Sequence, residues 1–132
     1  MDDAIVSKHL SEVVAGGFDA CDYSENNQRY LLVRKLPTIS KDWNLSEADI
    51  LISIPSNYPV GGLDAFYVDK NLELSNEQKH KRMASGHCLI KRQWWLVSWH
   101  YTDNKPWASQ HDTLLTHIYH CQKFLIQGAR AD

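Results

Sequence analysis

A chain of 132 residues with 43% apolar and 23% charged side chains can bury one hydrophobic core without staples, and its composition is that of a single folded domain. Its formal charge of −2 speaks against a nucleic-acid groove, because neutralising phosphates needs a basic excess, and no apolar run approaches the roughly 18–20 residues of a membrane span. The opening "MDDAIVSKHL" has neither the basic nor the apolar region of a secretory signal, and three cysteines cannot all pair within the chain, so free thiols in a reducing, cytosolic setting are expected.

In chain order, the first expected element is a helix. Asp2 and Asp3 suit its positive N-terminal end, Ile5, Val6, Leu10, Val13 and Val14 form its apolar stripe, and Gly16-Gly17 stops it. "FDACDY" (18–23) alternates as a short strand, and the polar turn "SENNQ" leads into a stronger one, "RYLLVRKL" (29–36), ended by Pro37. A loop precedes "ADILISI" (48–54), and two prolines with a Gly-Gly pair punctuate the turn before "LDAFYV" (63–68). Four strands in a meander are predicted. From Asp69 to Gly86 the chain reads as a long irregular crossing, of the kind that often carries function. Its basic cluster, Lys79, His80, Lys81 and Arg82, reads as a solvated loop. After the tryptophan-rich "KRQWWLVSWHY" and a second loop, "HDTLLTHIYHCQKFLIQGARAD" reads as a closing helix. Ser109 and Asp112 have capping-box spacing, Leu114, Ile118, Cys121 and Leu125 share one face, and Gly128 is the stop. The fold class is α+β, with helices on one side of an antiparallel sheet.

The chemistry-bearing stretch is "SGHCL". Gly86 permits close backbone approach, and Cys88 stands at the end of the crossing, where a thiol can be exposed as a nucleophile or buried as a small hydrophobe. His87 or His100 could stabilise a thiolate or donate to an oxyanion. Cys21, in a strand, and Cys121, on the apolar helix face, read as core. His117, His120 and Cys121 have helical spacing that could contribute to a zinc site, but neither Cys-x-x-Cys nor HExxH is present, and neither a metal nor a cofactor is expected. Trp94, Trp95, Trp99 and Trp107 are expected to bury and to brace the loops around Cys88. Asp112 reads as a helix-start residue.

Two blocks carry a family resemblance. Ile54, Pro55, Tyr58, Pro59, Asp64 and Phe66 match an "IP..YP....D.F" segment. Trp95, Ser98, Trp99, His100, Trp107, Asp112, Leu114, Thr116 and His117 match a "W..WS.H.....W....D.L.TH" segment. Together they resemble a bacterial family of ubiquitin-conjugating-like proteins with the UBC fold, over about residues 29–125. "SGHCL" likewise resembles the "G..CL" that bears the thiol of ubiquitin-conjugating enzymes, although their His-Pro-Asn triplet is missing. The resemblance implies a single UBC-like domain that takes a ubiquitin-like C-terminus as a thioester on Cys88 and passes it on. The implied partners are a ubiquitin-like protein, an activating enzyme and a JAB-type peptidase, with neither nucleic acid nor membrane among them. Alternatives are a catalytically silent UBC-fold module that only binds such partners and, less favoured, a zinc-binding domain.

Overall fold

The computed structural model describes residues 3–76 and 78–131. Asp2, expected in the first helical turn, lies outside them. Helix α1 (Asp3–Ala15) leads into strands β1 (Asp19–Glu25), β2 (Gln28–Pro37), β3 (Glu47–Ile54), β4 (Phe66–Asp69), β5 (Met83–Leu89) and β6 (Arg92–Val97). Helix α2 (Leu114–Gln127) and a 3-10 turn, Gly128–Arg130, close the chain. The six strands form one antiparallel sheet in the order β1-β2-β3-β4-β6-β5. Among the described residues, no helix is long and apolar enough to cross a membrane.

Side-chain alternation sends Leu31 and Val33 of β2, Ile50 and Ile52 of β3, and Trp95 and Val97 of β6 into one core. Val6 and Val13 of α1 meet them there, with Ile118, Cys121 and Phe124 of α2. Val14, placed on the expected helix stripe, is instead exposed, because Val6 and Val13 already define the face that meets the sheet. The other sheet face buries a smaller cluster of Tyr30, Leu32, Leu51 and Trp94. At one end the two edge strands approach each other. Glu25, which ends β1, accepts a hydrogen bond at 3.3 Å from Ile90 N in the β5–β6 turn.

The layout of two terminal helices on an antiparallel sheet agrees with the sequence reading, but the sheet has six strands rather than a four-stranded meander. The first three expected strands are present with ends shifted by at most two residues. The fourth begins at Phe66 rather than Leu63. The expected crossing 69–86 gives way at Met83 to a strand, and "RQWWLV" is its hairpin partner. The "MASGHCL" strand evades a periodicity test because it lies at the sheet edge. Met83 alone is buried along it, and its register shifts between Ala84 and His87.

The basic cluster is not wholly a solvated loop either. His80 is buried against Trp43 and Phe124, its Nδ1 accepts from Arg82 N, and its Nε2 lies 3.0 Å from Gly128 O, which fixes the proton on Nε2.

The start of α2 corrects the Ser109–Asp112 capping box. The N-cap is Thr113, whose side chain accepts from Thr116 N while Thr116 Oγ1 accepts from Thr113 N. Asp112 accepts from Ala108 N and from the Thr116 hydroxyl, bracing the preceding turn. Thr113→Ala is expected to cost about 1 kcal/mol, read as a lower urea midpoint at unchanged slope. Gly128 is the expected stop: at φ 58° its N–H closes on Phe124 O, and an added Cβ would meet Ser40 and Asp42 at 2.6–2.7 Å.

Candidate active site

Cys88 is held by the β5–β6 hairpin. Its two-residue turn, Ile90-Lys91, takes positive φ at both positions (47° and 62°), as a type I′ turn requires. The β1–β2 turn uses Asn26-Asn27 the same way, with a residue type that tolerates that region. Ile90 does not, and its side chain packs beside the Tyr30–Trp94 cluster, which offsets the strain. The turn sets Leu89 opposite Arg92 and Cys88 opposite Gln93. In a two-residue hairpin the pair flanking the turn is the hydrogen-bonded one, so the next pair, Cys88 and Gln93, directs its main-chain N–H and C=O away from the partner strand. For Cys88, on edge strand β5, that direction is the side on which no further strand pairs.

The thiols divide by environment. Cys88 is exposed, Cys21 is half-buried, and Cys121 is wholly buried, with burial pushing its thiol pKa well up. Cys88 shares its sheet face with Gln93 and Trp95, and the Lys70 ammonium sits 3.3 Å from the centre of the Trp95 ring.

The two histidines named with Cys88 do not converge on it. His87 precedes it on the strand but leaves the opposite face, opposite Trp94, with its ring 5.6 Å from that of Tyr67. His100 lies past the other end of β6. Gln93 and Val97 alone are separated by roughly 13 Å of strand, and His100 is three residues further on. There its Nδ1 meets Asp64 Oδ1 at 2.9 Å. Asp64 precedes Phe66, the register partner of Val97, so this pair marks the end of the sheet away from the hairpin turn.

Behind His100 is a layered set of rings that the sequence reading did not assemble. Tyr101 stacks on His120 at 4.1 Å with 9° between planes, His120 stacks on Trp99, and the Tyr101 hydroxyl lies 2.7 Å from His117 Nδ1. Burial, then the neighbouring His120, lowers the His117 pKa to about 4, although the Ala65 backbone pulls it the other way. Its buried Nε2 makes no hydrogen bond of good geometry. Burial also lowers His120 and raises Tyr101. The tryptophans divide accordingly. Trp94 and Trp95 are buried in the hairpin that carries Cys88, whereas Trp99 and Trp107 brace this other end. Trp107 donates to Pro59 O at 2.9 Å across Gly62, where a Cβ would lie 2.5 Å from its ring. The signal for this cluster was present in the sequence: Asp64, His100, Trp107 and His117 all fall in the two resemblance blocks. Among the described residues, no group of three or more His, Cys, Asp or Glu side chains is arranged to hold a metal ion.

The family model described as prokaryotic E2 family E matches residues 8–127. The chain belongs to prokaryotic E2 family E. The match runs from α1 to the end of α2, so it takes in both the Cys88 hairpin and the Asp64–His100 end of the sheet. It bears out the resemblance drawn from the two motif blocks. For a prokaryotic E2 family E protein the general role is ubiquitin-conjugating-like, with a ubiquitin-like protein and an activating enzyme as the partners that such a role implies. No curated protein and no solved structure gives a significant match.

Proposed function

We propose that this prokaryotic E2 family E protein accepts the C-terminus of a ubiquitin-like protein as a thioester on Cys88 and passes it to an amine acceptor. The observation that carries the reading is the exposure of Cys88 on an edge strand, in a chain of an E2-like family whose other two thiols are half-buried (Cys21) and wholly buried (Cys121). A thiolate is the competent nucleophile for thioester exchange, and access is its first requirement.

In the first step Cys88 Sγ attacks the carbonyl carbon of the ubiquitin-like C-terminus, held as a thioester by the activating enzyme. A carbon–sulfur bond forms to Cys88, the one to the activating enzyme breaks, and that enzyme's thiolate leaves. In the second step an amine attacks the same carbonyl, Cys88 leaves as thiolate, and the amine's proton passes to solvent. Each step develops negative charge on the carbonyl oxygen. The asparagine of the missing His-Pro-Asn triplet has no counterpart in the motif, but the Cys88 main-chain N–H, directed off the sheet edge, can serve as donor in the way a nucleophile's own amide does in other acyl-transfer sites. The reading rests on Cys88 and its amide rather than on an imidazole, because His87 leaves the other face and His100 lies at the far end of the sheet. A JAB-type peptidase in the same pathway belongs to this proposal as the activity that would process or remove the ubiquitin-like protein.

The test is a change of linkage. With ATP, the matching activating enzyme and its ubiquitin-like protein, Cys88→Ser is expected to convert a dithiothreitol-labile adduct into a dithiothreitol-resistant, alkali-labile oxyester. An adduct of Cys88→Ser that dithiothreitol still releases places the acyl group on another thiol and defeats the proposal.

A further inference from the structure

Away from Cys88, a cavity of about 640 Å³ opens between α2 and the segment that follows β6. Trp99, Tyr101 and Tyr119 give it aromatic walls, and His100 stands on its lining. Three cations, Arg82, Lys105 and Lys123, line it as well. Among the described residues no ion pair engages any of the three. The Arg82 guanidinium makes one long contact, 3.4 Å, to Ser98 O. The one carboxylate on the lining, Asp112, is already engaged by Ala108 N and the Thr116 hydroxyl.

An excess of unpaired positive charge inside a cavity is notable in a chain whose net charge is −2. Like charges converging on a concave, weakly polar surface repel one another, and the field they create is focused toward the cavity. The stacked core behind the wall, with Tyr101 on His120 and His120 on Trp99, holds the aromatic surface rigid. Small-molecule sites combine such preformed apolar walls with a few polar groups that fix orientation.

We propose that this cavity binds an anionic group carried on an apolar body, a carboxylate or phosphate monoester whose charge is met by Arg82, Lys105 and Lys123 while its body lies against Trp99 and Tyr101. The site is separate from Cys88 and independent of the thioester reading. Charge complementarity selects the anion, and the aromatic walls select the body.

The experiment titrates the full chain with phenyl phosphate, 3-phenylpropionate and the neutral 2-phenylethanol, following the Trp99 indole N–H and the Lys105 amide by NMR. Saturable shifts confined to the cavity are expected with the anions, with the alcohol at least tenfold weaker. Tighter phenyl phosphate assigns the site to phosphate esters, and tighter phenylpropionate assigns it to carboxylates. Lys105 and Lys123 are both exposed, so Lys105→Ala/Lys123→Ala should fold, and it should lose at least fivefold in anion affinity with that for the alcohol unchanged. The control Lys8→Ala/Lys91→Ala removes the same charge elsewhere and should bind as the parent does. Equal binding of anion and alcohol, no saturation by either anion, or unchanged anion affinity in the Lys105/Lys123 variant overturns the proposal.

Discussion

Phe124→Ala is expected to cost about 3–5 kcal/mol of folding stability, toward the upper end of that range. Phe124 is 1% exposed, in the last turn of α2, and its ring meets four others, those of Trp43, Phe66, His80 and Trp99, at centroid distances between 4.7 and 5.9 Å. Two of these pairs are edge-on, the arrangement the ring quadrupole favours. Truncation removes the buried surface and leaves a cavity walled by large rigid rings that cannot collapse into it. In a domain of this size such a loss lowers the melting temperature by roughly 10–20 °C. Calorimetry of the variant checks this, and a loss below 1 kcal/mol would show that the aromatic cluster is not the keystone of the helix–sheet contact. Phe124→Leu should recover a large part of the loss by filling most of the volume.

The second large effect is acid sensitivity centred on His117. The unfolded chain binds a proton at this residue near pH 6.5, and the folded chain only near pH 4. Between those values the unfolded state holds more protons, so stability falls as the pH is lowered. From pH 7 to pH 4.5 this group alone should remove about 2–3 kcal/mol, given ~1.4 kcal/mol per unit of pKa difference. His80, His9 and His120 are shifted in the same direction, chiefly by burial, and add to the trend. Urea melts at the two pH values measure the whole effect. His117→Gln retains an acceptor for the Tyr101 hydroxyl without a titrating ring, so it should be less stable at pH 7 but show a shallower pH dependence. An unchanged slope in that variant removes His117 as the cause.

The parts of the fold legible in the sequence were those with strong periodicity. The closing helix was readable because Leu114, Ile118, Cys121 and Leu125 recur on one face and all four are buried. "RYLLVRKL" and "ADILISI" were readable because buried strands are rich in β-branched and leucine side chains. What was not legible depended on position in the sheet. "MASGHCL" is a strand by virtue of its partner "RQWWLV" and a two-residue turn whose residues, Ile90 and Lys91, are not turn formers. The loop after Asp69 therefore ends at Met83, within the stretch that reads as irregular, and the hairpin that presents Cys88 begins there. Likewise the N-cap fell on Thr113 rather than Ser109, because Asp112 is occupied with Ala108 and Thr116. The candidate site divides in the same way. The motif blocks pointed to the family, which the match over residues 8–127 establishes. They did not say that Asp64 and His100 lie at one end of β6 while Cys88 lies at the other, since sequence order along a single strand reads as proximity until the strand's length is counted.

The measurement that bears most directly on the account is intact-mass spectrometry of the wild-type protein under non-reducing conditions, with ATP, the cognate activating enzyme and its ubiquitin-like protein. The account predicts one added ubiquitin-like chain, with loss of one water overall, released by dithiothreitol, mapped by peptide analysis to Cys88 and absent from a folded Cys88→Ala variant. An adduct that persists in Cys88→Ala, or a complex that forms with no covalent mass at all, contradicts it.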